Sequence, residues 1–244
     1  MWLPLLYQSA TVTASLSRLI LLALVAGCAR PASTPVAAAS APTAGSTTEP
    51  PPSAPAAQGA MRGVLAPFAS EALVLLPLQG LRFTVPEWTS HVGDERAYRN
   101  IVDDEIAFAI RERAFKGKWA FPADLARSAR RNPGYAVDPY AISVDPLTPV
   151  ERDPDKFIAE PLAGQLRAFA GLFNARYAFV PVEMRVAPDA SGGGRATLHA
   201  VVVDTRAAKI TWKGDVSGDV VHAFSPAIAA GLAGRVADLF TPAR

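Results

Sequence analysis

The chain has 244 residues, half of them hydrophobic, and carries 24 Lys and Arg against 22 Asp and Glu. That balance leaves no basic footprint for a nucleic acid. A single cysteine, Cys28, removes any disulfide framework or cysteine-based metal site from consideration.

Residues 1–27 read as a leader. Arg18 is its only charged residue, Leu19 to Ala26 is a short apolar run, and small residues follow. The run is too short to cross a bilayer, which takes roughly 20 apolar residues. The stretch before Arg18 is long and partly apolar, which leaves the true start of translation open. Leu24-Val25-Ala26-Gly27-Cys28 resembles the lipobox of bacterial lipoproteins, whose cysteine becomes the first mature residue and carries a diacylglycerol. The resemblance implies attachment of acyl chains at Cys28 and, since Ala29 rather than aspartate follows it, an outer-membrane position facing the periplasm. Stable anchoring then rests on several acyl chains, each methylene contributing about 0.8 kcal/mol.

Residues 28–60 are almost wholly Ala, Pro, Ser, Thr and Gly, with Arg30 and Glu49 the only charges. Such a segment cannot bury enough apolar surface to offset the entropy of ordering, so a disordered tether is expected. Extended as polyproline II it would reach on the order of 100 Å.

Residues 61–244 read as a single domain of the α/β or α+β layer class, a mixed sheet covered by helices and ending in an antiparallel meander. Ala72 to Leu78 is a short continuous apolar run, expected as a buried strand that ends near Pro77. Gly93-Asp94-Glu95 opens a long helix through Arg113, with Tyr98, Ile101, Val102, Ile106, Phe108, Ala109 and Ile110 recurring at helical spacing. Acidic residues at its start and arginines at its end complement the helix dipole. Asp103-Asp104-Glu105 point in successive directions on that helix, so they are expected on a solvated face rather than as a carboxylate site.

Residues 115–157 form an irregular, Pro-rich insertion containing one short helix, Pro122 to Arg131, stopped by Asn132-Pro133-Gly134. Leu162 to Asn174 is a second amphipathic helix. Tyr177 to Val186 is a strand with a bulge expected at Pro181; Ala196 to Val203 and Lys209 to Lys213 are two more, the latter pair joined by a turn at Asp204 to Ala207. A helix at 227–240 closes the chain, its stripe formed by Ile228, Leu232, Val236 and Leu239.

Asn174 to Val182, followed by the hairpin Val203-Asp204-Thr205-Arg206-Ala207-Ala208-Lys209-Ile210-Thr211-Trp212-Lys213-Gly214, is similar to a strand and hairpin of the periplasmic group that includes CsgG, LpoB and the N-terminal domain of TolB. That group has a glycine after the threonine, where this chain has Ala207-Ala208. The resemblance implies a small α/β domain that binds proteins and has no catalytic centre. The implied role is activator or assembly factor for an envelope protein.

No motif argues for chemistry. Gly214-Asp215-Val216-Ser217-Gly218 has the wrong spacing for a nucleophile elbow, and Gly192-Gly193-Gly194-Arg195 lacks the Lys-Ser/Thr of a phosphate cradle. His91, His199 and His222 are scattered; His199 in a strand is expected to make a cross-strand polar contact. No metal and no cofactor is expected. The reading is therefore of a membrane-anchored, non-enzymatic lipoprotein. An auxiliary lipoprotein of a lipid transporter or secretion complex and a lipid-anchored cell-wall hydrolase are the alternatives.

Partner-binding candidates concentrate in the insertion: Trp119, Phe121, Arg127, Arg130, Arg131, Tyr135 and Tyr140, accompanied by Lys116 and Lys118. Trp, Tyr and Arg dominate interface hot spots. A long irregular segment inside a compact domain is either functional or mobile. Trp119 and Phe121 have a second reading, as the plug that packs the insertion onto the core. Trp212 is expected to pack on the sheet, and Asp204 to set its turn.

Overall fold

The computed structural model describes residues 61–147 and 157–242. The leader, Cys28 and the tether lie outside the described residues, as do residues 148–156 of the insertion. The described chain folds as helices on both faces of one six-stranded mixed sheet.

The strands are β1 (Leu73–Leu75), β2 (Gly80–Phe83), β3 (Trp119–Ala120), β4 (Tyr177–Pro188), β5 (Gly194–Asp204) and β6 (Lys209–Val221), in the order β3-β1-β4-β5-β6, with β2 also paired to β4. The helices are α1 (Pro86–Val92), α2 (Glu95–Glu112), α3 (Pro122–Arg131), α4 (Leu162–Leu172) and α5 (Ala227–Phe240). β1 and β2 both run parallel to β4, and Pro77 stands between them, where the chain leaves one parallel register and enters the next. Its missing N–H would have interrupted a continuous ladder.

Side chains alternate across the sheet and build two cores. Leu73, Leu75, Phe179, Met184, Val186, Leu198 and Val202 meet α2 and α5 on one face. Val74, Ala178, Val180, Val182, Val201 and Val203 meet α3 and α4 on the other. The register shift between Pro181 and Glu183 changes which residues of β4 face which side: odd-numbered Phe179 and even-numbered Met184 and Val186 share one core. A bulge has this effect because it inserts one residue into a period of two.

The burial of β5 changes along its length. Arg195, Thr197 and His199 alternate half-exposed with buried Ala196, Leu198 and Ala200, and then Val201-Val202-Val203 is buried on both faces. Alternation marks a sheet with one wet face, and a continuous apolar run one covered on both.

Three features depart from the sequence reading. β2 and α1 occupy a stretch assigned to no element, because four residues with an exposed Arg82 and a helix begun by Pro86 leave little periodic signal. The third meander strand runs on from Lys213 to Val221. Gly214 and Gly218 resemble loop residues, yet both lie within the strand, and Gly214 lies under the Trp212 ring, which a Cβ there would strike. Asp103, expected on a solvated face, is 3% exposed. α2 is covered on more of its circumference than its apolar stripe indicates, because the β1–β2 connection wraps its polar side.

Candidate functional site

The insertion is tied into the sheet before it reaches the surface. β3 pairs in parallel with β1, Gly117 N–H donates to Ala69 O, and a Cβ on Gly117 would strike the Glu71 carbonyl. α3 begins at Pro122, and the Asp124 carboxylate reaches back to accept from Phe121 N at 3.3 Å, half of a capping box. Beyond α3 the chain turns at Asn132, whose carbonyl accepts from Tyr135 N and Ala136 N. It then enters the short 3-10 turn Pro139–Ala141, capped by Asp138 accepting from Tyr140 N at 3.1 Å.

α2 holds this turn from the other side. Gln79 Nε2 donates to Pro77 O at 2.7 Å and to Pro139 O at 3.1 Å, while Arg99 Nη1 donates to Gln79 O at 2.7 Å. One turn earlier on α2 the Arg96 guanidinium lies over the Tyr140 ring, 5.4 Å from its centroid. Between α2, α3 and the turn opens a groove of about 310 Å³. Its floor is apolar, of Ala126, Ala129, Ala136, Pro133 and Val137, and its polar groups are Arg96, Arg130, Asp138 and Tyr140.

Neither Arg96 nor Arg130 forms an ion pair with another described residue. Burial, together with the nearby carboxylates of Asp103, Asp104 and Asp138, pushes the Tyr140 phenol up to about 12, against the opposing effect of Arg96. The phenol therefore stays protonated and available as a donor at ordinary pH. The groove thus presents two guanidiniums without an ion-pair partner among the described residues, a phenol and small apolar residues.

The structure separates the seven insertion candidates. Arg130 and Tyr140 line the groove. Phe121 is 8% exposed, with the Arg111 guanidinium 4.1 Å from its ring centroid, and Trp119 packs edge-on against Phe240 at 4.8 Å. Both rings are the plug that seats the insertion on the core. Arg127 pairs with Asp124 at 3.2 Å on the outer face of α3. Arg131 is exposed, and Tyr135, though 59% exposed, sets its hydroxyl over Gly171 of α4. Arg96 was not among the candidates. It lies outside the insertion, and nothing local in α2 signals its meeting with Tyr140.

The hairpin does what its residues indicate. Asp204 Oδ1 accepts from Arg206 N at 3.0 Å and Ala207 N at 3.2 Å, and Oδ2 accepts from Arg176. Trp212 packs, half-buried, against the core shared with α5. His199 Nδ1 and Asp215 Oδ1 lie 2.7 Å apart across β5 and β6. Among the described residues no group of His, Cys, Asp and Glu is placed to hold a metal ion, and no helix is long and apolar enough to cross a membrane.

No protein-family model matches the chain, and no curated protein matches its sequence. Solved structures with some likeness include the C-terminal domain of LpoB from Escherichia coli, 11% identical, covering 65% of this chain and 98% of that one at a TM-score of 0.30. A PelC dodecamer from Paraburkholderia phytofirmans is 9% identical, with 72% and 91% covered and a TM-score of 0.30. A lipoprotein from Neisseria meningitidis is 10% identical, with 60% and 78% covered and a TM-score of 0.28. At overlaps this low no function passes from them to this chain.

Proposed function

We propose that the chain is a lipid-anchored, non-enzymatic lipoprotein of the outer membrane that faces the periplasm. There it binds, and thereby regulates or helps assemble, a protein of the cell envelope. Acyl chains on Cys28 hold it at the membrane, and residues 29–60 give the folded domain its reach. The observation that carries the binding role is the groove between α2 and α3, where Arg96 and Arg130 stand unpaired beside Tyr140. These are groups that recognise a partner. Arg and Tyr are over-represented at the centres of interfaces because they combine apolar contact with directional donors.

The test is in-cell crosslinking of the tagged, acylated chain, followed by identification of what co-purifies. Recovery of one envelope protein, lost when Cys28→Ala releases the chain from the membrane, supports the reading. Recovery of self-linked oligomers alone overturns it in favour of a ring or channel.

A further inference from the structure

Resting on that reading, we infer that the groove between α2 and α3 takes an extended acidic peptide segment of the partner, with Arg96 and Arg130 each engaging a carboxylate and the alanine floor accepting an apolar side chain between them.

Three observations converge on this ligand. The first is charge. Two guanidiniums from different helices reach the same groove, and neither is neutralised within the described chain. The one carboxylate in the lining, Asp138, accepts from Tyr140 N and keeps its negative charge, and Asp103 and Asp104 lie near Tyr140, so the two guanidiniums outnumber the acid of the lining itself. Arg131, the last residue of α3, is exposed and does not line the groove.

The second is orientation. The Arg96 guanidinium lies over the Tyr140 ring, 5.4 Å from its centroid, so an aromatic face bounds it on one side. A guanidinium held in this way keeps its edge N–H groups free for a planar, two-point contact with a carboxylate. Tyr140 is itself fixed, because the Asp138 cap and the Gln79 hydrogen bond to Pro139 O anchor the turn that carries it. A pre-set site loses less entropy on binding than one ordered by its ligand.

The third is size and lining. Ala126, Ala129 and Ala136 let a backbone approach closely, and Pro133 and Val137 offer apolar contact. A volume of about 310 Å³ stands at the low end of the range for small-molecule sites, roughly 300–1,000 Å³. It suits a few peptide side chains and is too small for the acyl chains of a phospholipid.

The experiment measures fluorescence anisotropy of a fluorescein-labelled peptide of alternating glutamate and leucine on the full chain carrying Cys28→Ala. The same peptide with glutamine for glutamate is the uncharged probe, and dihexanoyl phosphatidylglycerol is the lipid competitor. Binding of the acidic peptide about tenfold tighter than the glutamine peptide is expected, with a loss of about tenfold for Arg96→Gln and for Arg130→Gln, weakening as salt rises. Arg131→Gln, outside the groove, changes the affinity by less than about twofold. Equal affinity for the two peptides overturns the inference, as does a loss with Arg131→Gln as large as with Arg130→Gln, which would assign binding to diffuse charge. Displacement by the phospholipid that depends on Arg96 and Arg130 also overturns it, in favour of an anionic headgroup.

The crosslinking separates this inference from the reading it rests on. If the envelope protein is captured equally by the wild-type chain and by the Arg96→Gln, Arg130→Gln double variant, the groove assignment fails and the binding role stands. If no envelope protein is captured by the wild-type chain, the binding role itself fails.

Discussion

Asp103 Oδ1 accepts a hydrogen bond from Leu78 N at 2.7 Å inside the fold, and through it α2 grips the chain between β1 and β2. Pro77 has broken the ladder there, so the Leu78 amide has no strand partner, and the carboxyl replaces one. The other oxygen, Oδ2, is buried without a partner. Burial raises the Asp103 carboxyl to about 7; the Leu78 hydrogen bond and Arg99 pull it down, and Asp104 adds to the rise. The group faces Arg99 and Asp104 on its own helix and Tyr140 from the insertion.

The pH dependence follows from that raised value. The native state holds the proton more tightly than the unfolded chain, whose aspartate titrates near 3.9. The stabilisation is therefore fully present below the unfolded value and declines by about 1.4 kcal/mol per pH unit until the folded group has ionised, near pH 7. Asp103→Asn keeps an oxygen to accept from Leu78 N and carries no charge. Urea unfolding from pH 4 to pH 8 should show the wild-type slope flattened in the variant, and the variant more stable than wild type above pH 7. A variant that tracks the wild type would place the titration elsewhere.

Asp204 has the opposite sign. Burial would raise its pKa, but the Arg176 hydrogen bonds and those from the Ala207 and Arg206 amides outweigh burial and hold the carboxyl below its usual range. Its contribution is present above the unfolded value and is lost as pH falls through the folded one. Asp204→Ala orphans two turn amides and leaves Arg176 without its carboxylate, a loss of about 2–3 kcal/mol at neutral pH. Acid unfolding monitored by circular dichroism should begin at the same pH in wild type and in Arg176→Gln only if the turn amides alone hold Asp204; an earlier onset in Arg176→Gln is expected.

Much of the fold was legible because its signals are local. The Val-rich run of β5, the stripe of α5, the start of α2 at Asp94-Glu95 and the bulge at Pro181 each follow from a few adjacent residues. The same locality explains what was not legible. Asp103 looks like a surface acid because its partner, Leu78, is fixed by a proline in another segment. Arg96 joins the groove only through Tyr140, more than forty residues away. Composition picked out the insertion, but Trp119 and Tyr140 look equally aromatic in sequence. Only the β1–β3 pairing sends the first into the core and leaves the second beside the groove.

Ala208 closes the β5–β6 turn at φ 52°, in the left-handed region that favours glycine. An alanine there costs about 1–2 kcal/mol in backbone strain, and glycine returns part of that as unfolded-state entropy. Ala208→Gly is expected to raise stability by about 0.5–1 kcal/mol, a rise in Tm of about 2 °C. Ala208→Val, β-branched at positive φ, should lower it by about 1–2 kcal/mol. Calorimetry on the three chains checks the order Gly above Ala above Val, and any other order would remove backbone strain as the explanation.

Trp119 and Arg130 sit in the same insertion and should fail in different ways. Trp119 packs against Phe115 at 5.9 Å and Phe240 at 4.8 Å, holding the start of the insertion on the α5 side of the sheet. Trp119→Ala opens a void among these rings at a cost of about 2–4 kcal/mol. It should lower the urea midpoint while the molecules that remain folded bind the acidic peptide as wild type does. Arg130→Gln, exposed and unpaired, should leave the midpoint within about 0.5 kcal/mol of wild type and weaken the peptide. Measuring midpoint and anisotropy on both variants tests whether the two roles are separable. A Trp119→Ala chain that is fully folded but no longer binds would move that ring from the core plug to the binding surface.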